Sequence, residues 1–296
     1  MTSLDSQVVF ITGAARGIGA EVARRLHSKG ARLVLTDLDV APLSALAHEL
    51  DGGGGDRVLT ATADVRDLSA MQAAADAAVE RFGGIDVVVA NAGIASYGSL
   101  LQVDPEVFQR VMDINVVGVF HTVRATLPSV LERRGYVLIV SSMAAFAAAP
   151  GLAPYNASKA GVEHLANALR LEVAYRGVRV GSAHMGWIDT ALIRDTKDDL
   201  PTFRKMLSTN PWFPPNRTTS VDKCAAAFVK GIEKRKNRVY CPGWVGLFRW
   251  LKAFLTSPAG ETAMRKAAAD LLPQMDEEVA ALGRSTSART EALEKH

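Results

Sequence analysis

The chain has 296 residues, 48% of them apolar, and a formal charge of +3. That is ample material for a large core, and so mild a charge leaves no basic footprint for nucleic-acid binding. The two cysteines, Cys224 and Cys241, lie far apart in no metal-like spacing, which argues against a disulfide framework and fits a reducing cytosol.

Strand-like and helix-like runs alternate along the chain. Met1 to Ser6 lacks the basic patch and apolar stretch of a signal peptide. Gln7 to Thr12 is a β-branched run that leads into Gly13-Ala14-Ala15-Arg16-Gly17-Ile18-Gly19, and helix formers follow from Ala20 to Lys29. Strand, glycine-rich turn and helix in that order make a dinucleotide site. The glycines let the backbone turn tightly and approach a pyrophosphate, which sits at the positive end of the helix. The spacing is GxxxGxG, not GxGxxG. Arg32 to Thr36 predicts a second strand and Pro42 to Leu50 a helix, and Asp51 to Asp56, rich in glycine, reads as a surface loop. A third strand (Arg57 to Thr62), a helix (Leu68 to Phe82) and a fourth strand (Asp86 to Ala90) follow. A long helical stretch runs from Pro105 to Arg133, then a fifth strand from Tyr136 to Val140, a helix from Pro154 to Arg176 and a sixth strand from Val178 to Ala183. This βαβα order implies a parallel, doubly wound sheet of the Rossmann type in an α/β domain, with ligands beyond the C-terminal strand ends. Gly13, Asp37, Asp64, Asn91, Ser142 and Gly186 all fall at such ends. From Trp187 to Arg217 regularity fails, with Pro201, Pro211, Pro214 and Pro215 among Ile193, Phe203, Met206, Trp212 and Phe213. Val221 to Lys234 then predicts a helix and Arg238 to Cys241 a last strand. No run reaches the ~20 apolar residues needed to span a bilayer, and a cytoplasmic protein is expected.

Tyr155 and Lys159 stand four apart in the helix that begins near Pro154, so they share a face. A phenol beside an ammonium is an acid/base device, because the positive charge favours the phenolate over its usual pKa of about 10. Ser142 ends the fifth strand, from which its hydroxyl can meet the phenol.

Together these motifs resemble the short-chain dehydrogenase/reductase family over residues 5 to 242. The resemblance rests on Thr12 to Gly19, Asp64-Val65, Asn91-Ala92-Gly93, Asn115, Ser142 and Tyr155-Asn156-Ala157-Ser158-Lys159, in the family's order and spacing. It implies an oxidoreductase acting on a CH–OH group, with Tyr155 as general acid/base, Lys159 on the nicotinamide ribose, Ser142 orienting the substrate oxygen and Asn115 holding a water of a proton relay. Gly13, Arg16, Gly17, Ile18 and Gly19 would cradle the cofactor, Asp64 and Val65 would contact the adenine, and Asn91, Ala92 and Gly93 would line the same site. Ala90 stands where the family has a further Asn. Asp37, twenty residues past the turn, can bond the adenosine ribose hydroxyls and repel a 2′-phosphate, which favours NAD. Arg16 pulls toward NADP, the less expected cofactor. Ile188 and Thr190 would reach the carboxamide end, although Met185 replaces the Pro that the family places before Gly186. The family's mobile flap corresponds to residues 187 to 217. Few charged residues stand near Phe146, Leu152 or Trp187, which suggests an apolar secondary alcohol or ketone. A catalytically silent dinucleotide-binding regulator is the alternative, and an epimerase or dehydratase a third reading. The family also implies a homo-oligomer, a dimer or tetramer.

The family usually ends near residue 242. Here residues 243 to 296 add an extension in which Trp244, Leu247, Phe248, Leu251, Phe254 and Leu255 recur at helical spacing. Such a stripe must be buried on its own core, over the pocket or across a subunit boundary; contact with a membrane surface is the less favoured reading. Residues 283 to 296 are polar and expected to be disordered.

Overall fold

Five-residue runs such as Val8–Thr12 and Tyr136–Val140 are buried at every position, as strands covered on both faces must be. The computed structural model describes residues 3–52, 55–209 and 218–293. Its seven strands are β1 (Val8–Thr12), β2 (Arg32–Asp37), β3 (Val58–Thr62), β4 (Val87–Ala90), β5 (Tyr136–Val140), β6 (Arg179–Met185) and β7 (Arg238–Cys241). They form one parallel sheet in the order β3-β2-β1-β4-β5-β6-β7. The order reverses between β1 and β4, and that switch point opens a crevice at the strand C-termini.

Helices α1 (Gly17–His27), α2 (Val40–Asp51) and α9 (Val221–Glu233) cover one face through Leu26, Leu43 and Phe228. Helices α3 (Leu68–Phe82), α4 (Pro105–Met112), α5 (Gly118–Glu132) and α6 (Ala153–Val173) cover the other, where Met71, Val123 and Val162 pack on Phe10 and Ile139. The long helical stretch is continuous, but a π-turn over Asp113–Val117 joins α4 to α5 and carries Asn115. By length and composition Pro105–Glu132 could cross a bilayer, contrary to the expectation that no run reaches that size. Here it packs as a core helix, more than half buried.

The segment expected to be irregular contains two helices, α7 (Ala191–Asp199) and α8 (Pro201–Thr209). Pro201 opens α8 in its first turn, where a missing N–H costs nothing. Pro211, Trp212, Phe213, Pro214, Pro215 and Arg217 lie outside the described residues, as do Gly53 and Gly54.

The extension departs most from expectation. It comprises α10 (Val245–Leu255), α11 (Pro258–Leu282) and α12 (Ala288–Leu293). Only the inner edge of α10 is covered: Val245 is buried and Trp244, Phe248 and Leu255 are half-buried. Leu247, Leu251 and Phe254 are exposed, and Trp250 is 77% exposed, so the apolar stripe is not buried within this chain. It is α11 that forms the cover. Met275 and Val279 join Tyr97, Leu152, Leu200 and Phe203 in a third core, separate from the two flanking the sheet.

The polar tail is ordered through residue 293, not disordered. Tyr97 N donates to Ser285 O (2.9 Å), Thr286 Oγ1 to Ala95 O (3.0 Å) and Asp104 N to Ser285 Oγ (3.1 Å). Polar residues order where buried backbone groups of another segment need partners.

Neighbouring positions on α11 should therefore respond oppositely to a charge. Val279→Asp should lower the unfolding free energy by about 3 kcal/mol or more, because it buries a carboxylate without a partner. Ala280→Asp, on the exposed face, should change it by less than about 0.5 kcal/mol in the same urea titration.

Candidate active site

The crevice is shaped first by a clamp between β1 and β4. Thr12 Oγ1 accepts from Asn91 N (3.0 Å) and Ala92 N (3.1 Å), and Asn91 Nδ2 donates to the carbonyls of Thr12 and Gly13 (both 3.0 Å). Asn91 thus ties the glycine turn to the neighbouring strand. Gly13 has φ +62°, and a Cβ there would stand 2.9 Å from Ala92 Cα. A Cβ on Gly19 would collide with the Gly13 carbonyl. Only glycine fits either position, and the turn delivers α1 with its N-terminus facing the crevice.

Gly13, Arg16, Gly17, Ile18, Asp37, Asp64, Val65, Asn91, Ala92, Gly93, Tyr155, Lys159 and Thr190 line one continuous cleft. Gly19 sits behind it. Ile188 and Ser142 line an adjoining cavity that shares Tyr155, Ile18 and Thr190 with the cleft. Asn115 lines neither, although its Oδ1 would stand 3.1 Å from a Cβ on the cleft residue Gly93.

At the β2 end, Asp37 accepts from Ala15 N (2.9 Å) and Asp39 N (3.1 Å). Burial raises its pKa, while the Ala15 bond and the Arg16 charge oppose the shift. Arg16 is ion-paired with Asp39, a partner the sequence reading did not weigh. The cation that would favour NADP is thereby neutralised. Asp64 is gripped by Arg66, with Nε to Oδ2 at 2.8 Å and Nη2 to Oδ2 at 2.6 Å, so its carboxylate is largely committed.

At the other end stand the polar residues expected to do chemistry. The Asn115 side chain is fully buried, with Oδ1 accepting from Ile94 N (2.8 Å) and Nδ2 donating to Ile94 O (2.9 Å) and Ser158 Oγ (3.0 Å). Both amide hydrogens are used and one acceptor position remains. Its firmest role is therefore to clasp the Ile94 peptide. Lys159 is 4% exposed and donates from Nζ to Val140 O (3.1 Å). Among the described residues no carboxylate pairs with it. Its Nζ lies 5.6 Å from the centre of the Tyr155 ring.

The electrostatics of this pair differ from the sequence expectation. Burial pushes the Tyr155 phenol up, and only the hydrogen bond with Ser142 pulls it down. Burial also lowers Lys159 to about 8. Spacing brings the two groups together, but desolvation favours the neutral form of each.

The adjoining cavity is apolar. Met143, Leu152, Trp187, Ile193 and Phe203 contribute to its wall, and none of its described lining residues is charged. Its polar lining side-chain groups are the hydroxyls of Ser96, Ser142, Tyr155, Thr190 and Thr196 and the indole N–H of Trp187.

Two features escaped the sequence reading. Behind Ser142, the fully buried His184 places Nδ1 3.2 Å from the Ser142 carbonyl and Nε2 3.0 Å from Glu163 Oε2, and Arg238 meets Glu163 Oε1 at 2.9 Å. Desolvation opposes ionisation of Glu163, but His184, Ser182 and Arg238 outweigh it and hold the carboxyl near 2. Glu163 is one turn beyond Lys159, and that spacing was its only signal. The second feature is the C-terminal tail, whose Ser287, Arg289, Thr290 and Leu293 also line the cleft. Cys224 and Cys241, distant in sequence, meet as buried free thiols whose hydrogen bond and shared burial push Cys224 up.

A model of the short chain dehydrogenase family matches residues 7–201. An NAD-dependent oxidoreductase of Mycobacterium tuberculosis is 35% identical over 228 residues, covering 72% of this chain and 82% of its own. The (-)-trans-carveol dehydrogenase of Rhodococcus erythropolis is 37% identical over 66% of this chain and 76% of its own. Among solved structures, a short-chain dehydrogenase from Mycobacterium paratuberculosis bound to NAD superposes with a TM-score of 0.70 at 29% identity, covering 80% of this chain and 97% of that one. A Burkholderia phymatum member in complex with NAD gives 0.74 at 25% identity over 87% and 98%. The chain belongs to the short-chain dehydrogenase/reductase family. The cleft fits the family's dinucleotide: it offers a backbone cradle without room for a Cβ, a β2 carboxylate and a buried ammonium without a counter-ion among the described residues.

That ammonium should cost stability in the cofactor-free protein. Its folded pKa of about 8 lies below its ordinary 10.5, so the penalty on the charged form is complete below pH 8 and is relieved as pH rises from 8 to 10.5. Lys159→Met should therefore raise the unfolding free energy at pH 7 by up to about 3 kcal/mol. The gain should shrink above pH 8, as read by urea titrations at several pH values.

Proposed function

We propose that this NAD-dependent oxidoreductase acts on apolar secondary alcohols and the matching ketones, with Tyr155 as general acid/base. The observation that carries the reading is the cavity itself, which has no charged side chain among its described lining residues and opens onto the hydroxyls of Tyr155 and Ser142. A substrate there would bury its hydrocarbon against Leu152, Trp187 and Phe203, leaving its oxygen the phenol and the Ser142 hydroxyl as partners. The Rhodococcus relative named for carveol, an alcohol, supports the same class.

NAD, when bound, supplies the hydride acceptor for oxidation and, reduced, the donor for the reverse. The chain's residues do the rest. Gly13, Gly17, Ile18 and the α1 N-terminus would hold the pyrophosphate, and Asp37 the adenosine ribose. Val65, Ala92 and Gly93 would form the walls around the adenosine half. Thr190 and Ile188 would bind the carboxamide. Lys159 would give the nicotinamide ribose its spare N–H donors and keep its charge beside the phenol. Tyr155 Oη would take the proton of the substrate hydroxyl during oxidation and return one during reduction. Ser142 would donate to the same oxygen. Asn115 would act as a positioning residue, fixing Ile94 at the end of β4 and, through Ser158, the helix that carries Tyr155 and Lys159. A base works best when its pKa lies near the working pH. For Tyr155 that requires the Lys159 charge and a cationic cofactor to outweigh desolvation.

The test is an NAD-linked oxidation screen across secondary alcohols, followed by Tyr155→Phe on the best substrate. The variant should lose turnover by roughly 1,000-fold or more while binding NADH normally. A rate above a few per cent of the parent would remove Tyr155 from the role, and a parent that binds NADH but oxidises none of the alcohols would favour a catalytically silent binding protein. NADH should bind at least about tenfold more tightly than NADPH in fluorescence titrations, since Asp37 repels a 2′-phosphate and Asp39 neutralises Arg16. Tighter NADPH would contradict the assignment.

We also propose a cytoplasmic homo-oligomer that covers the exposed face of α10. Support comes from Leu247, Trp250, Leu251 and Phe254 together, four large apolar side chains on one helix face. Light scattering should report a dimer or tetramer, and Trp250→Ser with Phe254→Ser should give a smaller species. A monomeric parent that co-sediments with vesicles would assign the face to a membrane instead.

A further inference from the structure

We propose that the C-terminal tail, Arg284 to Leu293, completes the cofactor site, and that Arg289 is its cation toward the dinucleotide's pyrophosphate. The inference rests on reading the cleft as the NAD site. Ser287, Arg289, Thr290 and Leu293 line the same cleft as Gly13, Gly17, Asp37 and Lys159. They approach it from beyond the part of the chain that the family model matches.

The tail is locked in place. Arg284 forks onto Asp199, with Nη1 to Oδ2 at 2.7 Å and Nη2 to Oδ1 at 2.6 Å, and it also donates to Tyr97 Oη at 2.8 Å. Arg289 meets Asp195 from Nε at 2.9 Å and from Nη2 at 3.2 Å. Asp195 and Asp199 are four apart on α7, so both arginines seize one face of that helix. Helix α7 itself lines the cleft through Leu192 and Thr196. The tail and α7 together form one wall of the cleft.

Charge points to Arg289. The described cleft lining holds three cations: Arg16, Lys159 and Arg289. Arg16 is paired with Asp39 and also faces the Asp37 carboxylate, whereas Arg289 faces Asp195 alone among the described carboxylates, and Lys159 is buried beside Tyr155. Arg289 is 44% exposed, and its bonds to Asp195 use two of its five N–H donors. Among the described residues three donors remain for other acceptors, and a planar fork suits phosphate oxygens. A pyrophosphate dianion gives such a cation a reason to face the cleft.

The experiment compares the full chain with Arg289→Gln and with a chain ending at Gly283, using NADH fluorescence and stopped-flow displacement. Arg289→Gln should weaken NADH and ADP-ribose alike by about fivefold or more, through faster dissociation, and leave adenosine affinity unchanged. The shortened chain should lose more. Equal loss for adenosine would make Arg289 merely structural and overturn the assignment, as would NADH affinity and dissociation within about twofold of the parent in Arg289→Gln. If the shortened chain does not fold, Arg289→Gln alone decides. A full chain that binds no NADH refutes the cleft reading itself, a result distinct from tail variants that bind as well as the parent.

Discussion

A buried ammonium with no carboxylate opposite it among the described residues governs this site. Lys159 reaches the base of the cleft from α6 and holds one backbone carbonyl, that of Val140 at 3.1 Å. Few sequences tolerate such an arrangement, because a buried charge is costly unless paired. Here the cost is partly avoided by depressing the pKa toward neutrality. Tyr155, desolvated beside it, is pushed the opposite way. Without cofactor each group therefore leans to its neutral form. Ligands that bring oxygen acceptors to Lys159 and positive charge toward the phenol would move both back. The site is a strained pair whose balance awaits the cofactor, not a base standing ready.

Around that pair the protein builds walls from chain far apart in sequence. The sheet supplies the floor, with Thr12 and Asn91 holding β1 and β4 at the distance the glycine turn needs. The apolar cavity takes part of its wall from α7 and α8, and Met275 and Val279 of α11 pack with Leu200 and Phe203 as a core of their own. This third core depends on residues beyond the sheet, so the extension supports the cavity wall that Leu152 and Phe203 supply. Removing water from the cavity and desolvating Tyr155 are then one structural act.

How much of this was legible follows from the range of each interaction. The strands, the glycine turn and the Tyr155–Lys159 face were legible because period and spacing are local. β5 and β7 occupy Tyr136–Val140 and Arg238–Cys241 as the alternation predicts. The pairing of Arg16 with Asp39 was not legible because Asp39, although close in sequence, is aligned only by the β2–α2 turn. The burial that raises the Tyr155 phenol in the cofactor-free protein was not legible because spacing reports proximity and not dielectric. The tail failed for a related reason. Its polarity suggested disorder, yet Ser285 and Thr286 are buried against the backbone of Ala95, Tyr97 and Asp104, almost two hundred residues earlier. Composition cannot report partners that another loop presents. The α10 stripe was read correctly as apolar, but apolarity did not specify what covers it, and this chain alone covers only its inner edge.

The most direct test of this account is a spectroscopic titration of the phenol. The difference in tyrosinate absorbance between the parent and Tyr155→Phe isolates one tyrosine among the five in the chain. Without cofactor, Tyr155 should ionise above the ordinary phenol value of about 10. With saturating NAD⁺ it should ionise well below that value, because Lys159 is then held charged and the cofactor adds a cation. A phenol that titrates at the same pH with and without NAD⁺ would contradict the account, since the pair would then not answer to the cofactor.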